Sequence, residues 1–226
     1  RRPSGRSGGY RPSNNRRRSF SGGGRSGGRG GSRGGARKMP TFDPSQFINK
    51  NPVEIKEEVF VPEHTFADFG FHPDIVKNLN TMELTTPSPI QDKVIPEIMQ
   101  DLDVIGLAAT GTGKTAAFGL PIIQNIDENS GKVQAIVLAP TRELAVQVAN
   151  EINSFKGSKR LQITTVYGGQ PIDRQIRELN RGADIVVGTP GRVIDLIKRG
   201  KLHLDSVKYF VLDEADEMLN MGFIED

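Results

Sequence analysis

From residue 101 onward the chain alternates between short apolar runs and longer segments with helical spacing. LDVIGLA (102–108), QAIVLAP (134–140), QITTVY (162–167), ADIVVGT (183–189) and VKYFVLD (207–213) are runs rich in β-branched residues, and each reads as a strand. Between them, residues 114–126, 142–155, 172–179 and 192–199 space their apolar positions as helices do. Near-continuous apolar strands separated by helices predict an α/β fold: a parallel sheet covered by helices on both faces. The run 102–108 is predicted to be one of its buried strands. In such sheets ligands bind beyond the carboxyl ends of the strands.

The first 58 residues break this pattern. Residues 1–38 hold eleven Arg and one Lys and no acid, and low-complexity SGGGRSGGRGGSRGGAR fills residues 21–37. Tyr10 and Phe20 are the only large apolar or aromatic residues between Arg1 and Arg37, too few to offset the entropy of ordering, so disorder is predicted here. Three prolines make residues 39–58 a linker, and the body is expected to begin near Val59. The net charge of +3 averages a cationic arm with a body holding 18 basic and 27 acidic residues. An arm of this kind suits polyanions: Arg contacts phosphates and stacks on bases while Gly lets the backbone follow a strand. A solubilising linker and a transit peptide are the competing readings of the same composition. Cys is absent, which excludes disulfides and cysteine metal sites and fits a reducing cytoplasm. His64, His72 and His203 are scattered, as surface or packing residues are. No run is long and apolar enough for a membrane span, so no membrane partner is expected.

The stretch 107–121, LAATGTGKTAAFGLP, sits between the first apolar run and a helix. Strand, glycine-rich turn, then helix is the context of a phosphate-binding P-loop. Gly111 and Gly113 let the backbone curl so that the N–H groups of Ala109, Thr110, Gly111, Thr112 and Gly113 turn toward phosphate, aided by the helix dipole. Lys114 is expected on the β- and γ-phosphates and the Thr115 hydroxyl on Mg²⁺. The general pattern asks for Gly at 108, where this chain has Ala108. About a hundred residues later Asp213 and Glu214 close an apolar run. Asp213 is placed to hold Mg²⁺ through water, and Glu214 to orient or deprotonate the water that attacks the triphosphate. A solvated acidic turn is the plainer reading of those carboxylates.

Asp213-Glu214-Ala215-Asp216 extends the match. From about Phe66 to Phe223 the chain resembles the first RecA-like domain of a DEAD-box ATP-dependent RNA helicase. AATGTGKT (108–115) is similar to that family's own phosphate loop, which commonly begins with Ala. PSPIQ (87–91) resembles its adenine-recognising element, with Phe66 upstream. The resemblance implies that Gln91 pairs with the adenine edge, as Gln pairs with adenine elsewhere, and that Phe66 stacks on its face. Core packing beside Phe69 and Phe71 is the alternative for Phe66. Glu83 stands where the family usually has Gly. Pro140, Thr141 and Arg142, then Gly168 and Gly169, then Thr189, Pro190, Gly191 and Arg192 look like the family's RNA-contacting segments. Helix-start amides, Thr hydroxyls and Arg side chains there would bind RNA backbone without reading sequence. The glycine pair would allow a backbone to approach backbone closely. Arg142 and Arg192 have an alternative structural role, pairing with acids such as Glu143.

The family's Ser-Ala-Thr segment and second RecA-like domain are not among these 226 residues, so the chain reads as a fragment with weak nucleotide binding, little ATPase activity and no unwinding. Three domain spans are therefore expected: residues 1–38, 39–58 and 59–226. The leading function is an RNA helicase using ATP and Mg²⁺. The alternative is an ATP-independent RNA-binding or annealing protein acting through the arm.

Overall fold

The structure, a computed structural model, describes residues 60–223. The arm, the linker and the expected body start at Val59 lie outside the described residues. Four strands, β1 (Ala135–Leu138), β2 (Ile163–Val166), β3 (Ile185–Gly188) and β4 (Tyr209–Leu212), form one sheet in the order β2-β3-β1-β4. Each pairing is parallel. The strand-to-strand connections carry α4 (Arg142–Phe155), α5 (Ile172–Asn180) and α6 (Pro190–Lys198). Upstream lie α1 (Pro73–Thr81), α2 (Pro89–Met99) and α3 (Lys114–Asn125), and α7 (Ala215–Asn220) follows β4. Helix starts obey local chemistry: Thr141 caps α4, accepting the Leu144 N–H at 3.3 Å, and Pro190 opens α6 at its first position.

Both sheet faces are covered, as predicted. Ala135, Val137, Ile185 and Val187 face one cluster with Leu79, Ile95, Leu120 and Ile152 of α1 to α4. Their sequence neighbours Ile136 and Val186, with Val166, face a second cluster containing Val193 and Leu196 of α6, with Ile172, Ile176 and Leu179 of α5 packed against it. That alternation is the period of two expected of strands. A Cβ on Gly188 would collide with the Val166 carbonyl and side chain, so β2 and β3 keep their spacing only with glycine there.

One expectation fails. Residues 102–108 form no strand, and Ile105 and Leu107 are 95% and 93% exposed. The segment flanks the cavity that opens beside the outer edge of β4, a space of about 700 Å³ lined by Gly106 and Leu107 on one flank and Tyr209 to Leu212 on the other. Among the described residues no strand pairs with residues 102–108, and β4 has a strand neighbour, β1, on its other side alone. A β-branched run becomes a strand only when a ladder takes up its amides and carbonyls. The sequence carries the propensity, but these residues have no neighbour to express it.

Candidate functional site

Because every strand points the same way, the loops after them share one rim. The sheet order divides that rim. Three adjacent strands, β2, β3 and β1, lead to Gly168-Gly169, Thr189-Arg192 and Pro140-Arg142. β4 leads to Asp213 and Glu214, next to the loop 108–115.

The loop has the glycine conformations the motif requires. Gly111 and Gly113 have φ of 78° and 86°, in the left-handed region that side chains avoid. A Cβ on Gly113 would also land on the Gln91 amide. The loop is closed on itself: Thr112 Oγ1 donates to the Ala109 carbonyl at 2.7 Å, and Lys114 Nζ to the Ala108 carbonyl at 3.1 Å. Lys114 Nζ also lies 2.9 Å from Glu214 Oε1. Lys114, Asp213 and Glu214 line the same cavity, so the loop and the carboxylates meet as the sequence anticipated. Glu214 sits at φ 53° and ψ 49°, a left-handed turn at the start of α7, which costs a side-chain-bearing residue roughly 1–2 kcal/mol. Burial pushes the Asp213 carboxyl above its ordinary range and the charge of Glu214 adds to this; Lys114 offsets part of it. Among the described residues no three His, Cys, Asp or Glu side chains gather as a metal cage.

Gln91 is buried and braces the loop. Its Oε1 accepts the Ser88 N–H at 2.9 Å and its Nε2 donates to the Gly113 carbonyl at 3.1 Å. A carboxamide has two acceptor lone pairs and two donor hydrogens, so one of each is left for a ligand. Ser88 Oγ donates to the Thr112 carbonyl at 2.7 Å, a second brace that the sequence reading missed. The Ser88-x-x-Gln91 spacing of a capping box was its available signal. Phe66 is packed into the core, edge to face with Phe69 at 6.1 Å, so packing rather than an open stacking face describes its ring here. The chain upstream of α1 is held by Asp92, whose carboxylate accepts the N–H of Glu63 at 2.9 Å and both the N–H and the ring Nδ1–H of His64, at 3.1 and 2.8 Å. Burial alone would raise the Asp92 carboxyl; these bonds outweigh it and hold it below its ordinary value.

On the other part of the rim, neither Arg142 nor Arg192 pairs with an acid among the described residues. Arg142 lies over the Tyr167 ring, 4.8 Å from its centroid. Arg192 donates to the Gln170 carbonyl and to Gln175. Gly168 and Gly169 have open space where a Cβ would be, and the φ of 76° at Gly169 favours glycine there. Pro140, Thr141, Thr189, Pro190 and Gly191 occupy the helix starts beside them.

A family model described as DEAD/DEAH box helicase matches residues 88–226. The ATP-dependent RNA helicase CshA of Listeria monocytogenes is 55% identical over 161 residues, which cover 71% of this chain and 31% of that protein. The DEAD-box ATP-dependent RNA helicase CshA of Bacillus subtilis is 51% identical over 162 residues, 72% of this chain and 33% of that one. A solved DEAD box protein from the hyperthermophile Methanococcus jannaschii superposes with a TM-score of 0.70 at 49% identity, covering 73% of this chain and 45% of its own. The chain thus spans about a third of the length of the curated relatives it matches.

Proposed function

The chain belongs to the DEAD/DEAH box helicase family, and from that premise we propose that it is the first ATP-binding domain of an ATP-dependent RNA helicase acting in the cytoplasm. Residues 59–226 are the RecA-like body, residues 39–58 the linker and residues 1–38 an RNA-seeking arm. The observation that carries the proposal is the 2.9 Å contact between Lys114 of the phosphate loop and Glu214 of the acidic turn, in one cavity with Asp213.

In this reading the triphosphate takes Lys114 from its resting partners, the Ala108 carbonyl and Glu214. The N–H groups of residues 109–113 line the phosphates, and Gln91 uses its remaining donor and acceptor on adenine. Thr115 and Asp213 are the hard oxygen donors for Mg²⁺, which favours few protein ligands plus phosphate and water. The raised Asp213 carboxyl is a buried charge that such a cation relieves. When bound, the ion would offset charge on the β- and γ-phosphates. Glu214, freed from Lys114, accepts a proton from the water whose oxygen attacks the γ-phosphorus, and ADP leaves with the bridging oxygen. RNA backbone lies on the segments after β1, β2 and β3, where helix-start amides and two arginines that have no acidic partner among the described residues meet phosphates irrespective of sequence.

Binding of a fluorescent ATP analogue with Mg²⁺ tests the site in the 226-residue chain. K114A is expected to weaken it by about tenfold to a hundredfold, the effect of losing a charge-assisted contact. E214Q is expected to bind as the native chain does. Native affinity in K114A would remove the loop from its role. Deleting residues 1–38 should keep ATP binding and lower RNA affinity only in part; total loss of RNA binding would favour the arm-driven, ATP-independent alternative.

A further inference from the structure

Gln175 is an amide inside an apolar layer. It lies in the second turn of α5, 4% exposed, in the layer where Ile176, Leu179 and Val193 pack. Leu or Met would fill that place without desolvating a polar group. Both ends of its amide are engaged instead. Nε2 donates to the Tyr167 carbonyl at 3.0 Å, and Oε1 accepts from Arg192 Nη1 at 2.9 Å. Arg192 reaches further, donating from Nη1 and Nη2 to the Gln170 carbonyl, each at 3.2 Å. Gln175 and the Arg192 it holds therefore tie together the end of β2, the far side of the Gly168-Gly169 turn at Gln170 and the start of α6. The Tyr167 that Gln175 holds is the ring under Arg142.

The electrostatics matter as much as the geometry. Both partners of Arg192 are neutral acceptors, so its positive charge is undiminished. Three of the five guanidinium N–H donors are engaged, leaving Nε–H and one Nη2–H among the described residues. An acid at position 175 would hold the same guanidinium and neutralise it.

We propose that Gln175 is a positioning residue for RNA: it fixes Arg192 and the Gly168-Gly169 turn in one orientation while leaving the arginine's charge available to a phosphate. The assignment rests on the RNA reading of these segments. It goes beyond that reading by naming a buried residue, remote from the ligand, that sets the binding surface.

Hydrogen–deuterium exchange of the 226-residue chain, titrated with a single-stranded oligouridylate, tests it. Local exchange separates this surface from whatever the arm binds. In the native chain RNA should slow exchange in residues 167–170 and 189–193. In Q175M the RNA concentration that half-protects these segments should rise about tenfold, as for loss of an ordered charge-assisted contact. The turn should also exchange faster without RNA, and half-protection of residues 108–116 by ATP and Mg²⁺ should not move. Q175E should keep Arg192 in place but lose the donor to the Tyr167 carbonyl, so the turn should exchange faster than in the native chain, and the RNA requirement should rise by more than in Q175M, because its carboxylate neutralises Arg192. Native half-protection in both variants would overturn the assignment and leave the RNA reading intact. Absence of RNA protection in the native chain, with the nucleotide response preserved, would overturn the RNA reading and the assignment with it. Fast exchange throughout β1 and α4 in both variants would make Gln175 a folding residue and equally overturn the assignment.

Discussion

Two runs of this chain, QAIVLAP and LDVIGLA, have the same pattern and different fates. The first becomes β1, flanked by β3 and β4, with Val137 fully buried. The second forms no strand and leaves Ile105 and Leu107 in solvent, although the phosphate loop follows it. The difference teaches that β1 is fixed by backbone ladders, whereas the phosphate-loop side is fixed by side chains. Ser88 and Gln91 brace the loop, Lys114 folds back on it, and Asp92 ties the upstream chain to α2. Ladder bonds are indifferent to pH and to most surface substitutions; side-chain pins are not.

The comparison breaks first at its centre. V137D should unfold the domain, costing more than about 4 kcal/mol in denaturant titrations, because it buries an unpaired charge. I105K should change stability by less than about 0.5 kcal/mol. Equal losses would mean that residues 102–108 are packed as β1 is. Acid sharpens the contrast next. The Asp92 carboxyl is held below its ordinary value of 3.8, so its contribution is present above that value and is lost as pH falls through the lowered one. D92A should remove about 1–3 kcal/mol at neutral pH, by stranding the donors of Glu63 and His64, and should flatten that acid dependence. An unchanged acid limb in thermal melts of D92A would assign it elsewhere. A modest gain is expected at the end of α1, where Glu83 has φ 61°. E83G should stabilise by about 0.5–1 kcal/mol, the relief of a left-handed side chain less the entropy glycine brings to the unfolded chain. A lower melting temperature would show that the Glu83 side chain holds that turn.

Much of this architecture was legible. Four strands and the helices between them follow from runs such as IVVG and from the periodicity of residues 142–155, because propensity and burial agree there. The run 102–108 was misread because a sequence shows strand propensity but not whether a neighbour exists. Lys114, Asp213 and Glu214 were brought together as anticipated, since the motif spacing encodes two loops on one rim. The Glu83 anomaly was visible as a non-glycine where the family has Gly, and its positive φ is the physical counterpart. Gln175 and Asp92 carried no comparable signal: buried polar residues declare themselves only through the partners that surround them, and those partners lie 8, 17, 28 and 29 residues away.

The bare flank of β4 has a consequence for life in a crowded solution. Among the described residues no strand pairs with this flank, and its amides beside the exposed Phe210 and Leu212 can recruit a passing extended chain, including the 102–108 run of another copy. Such recruitment accelerates with concentration. Shelf life and turbidity of the purified polypeptide should then answer to this edge more than to its overall charge of +3.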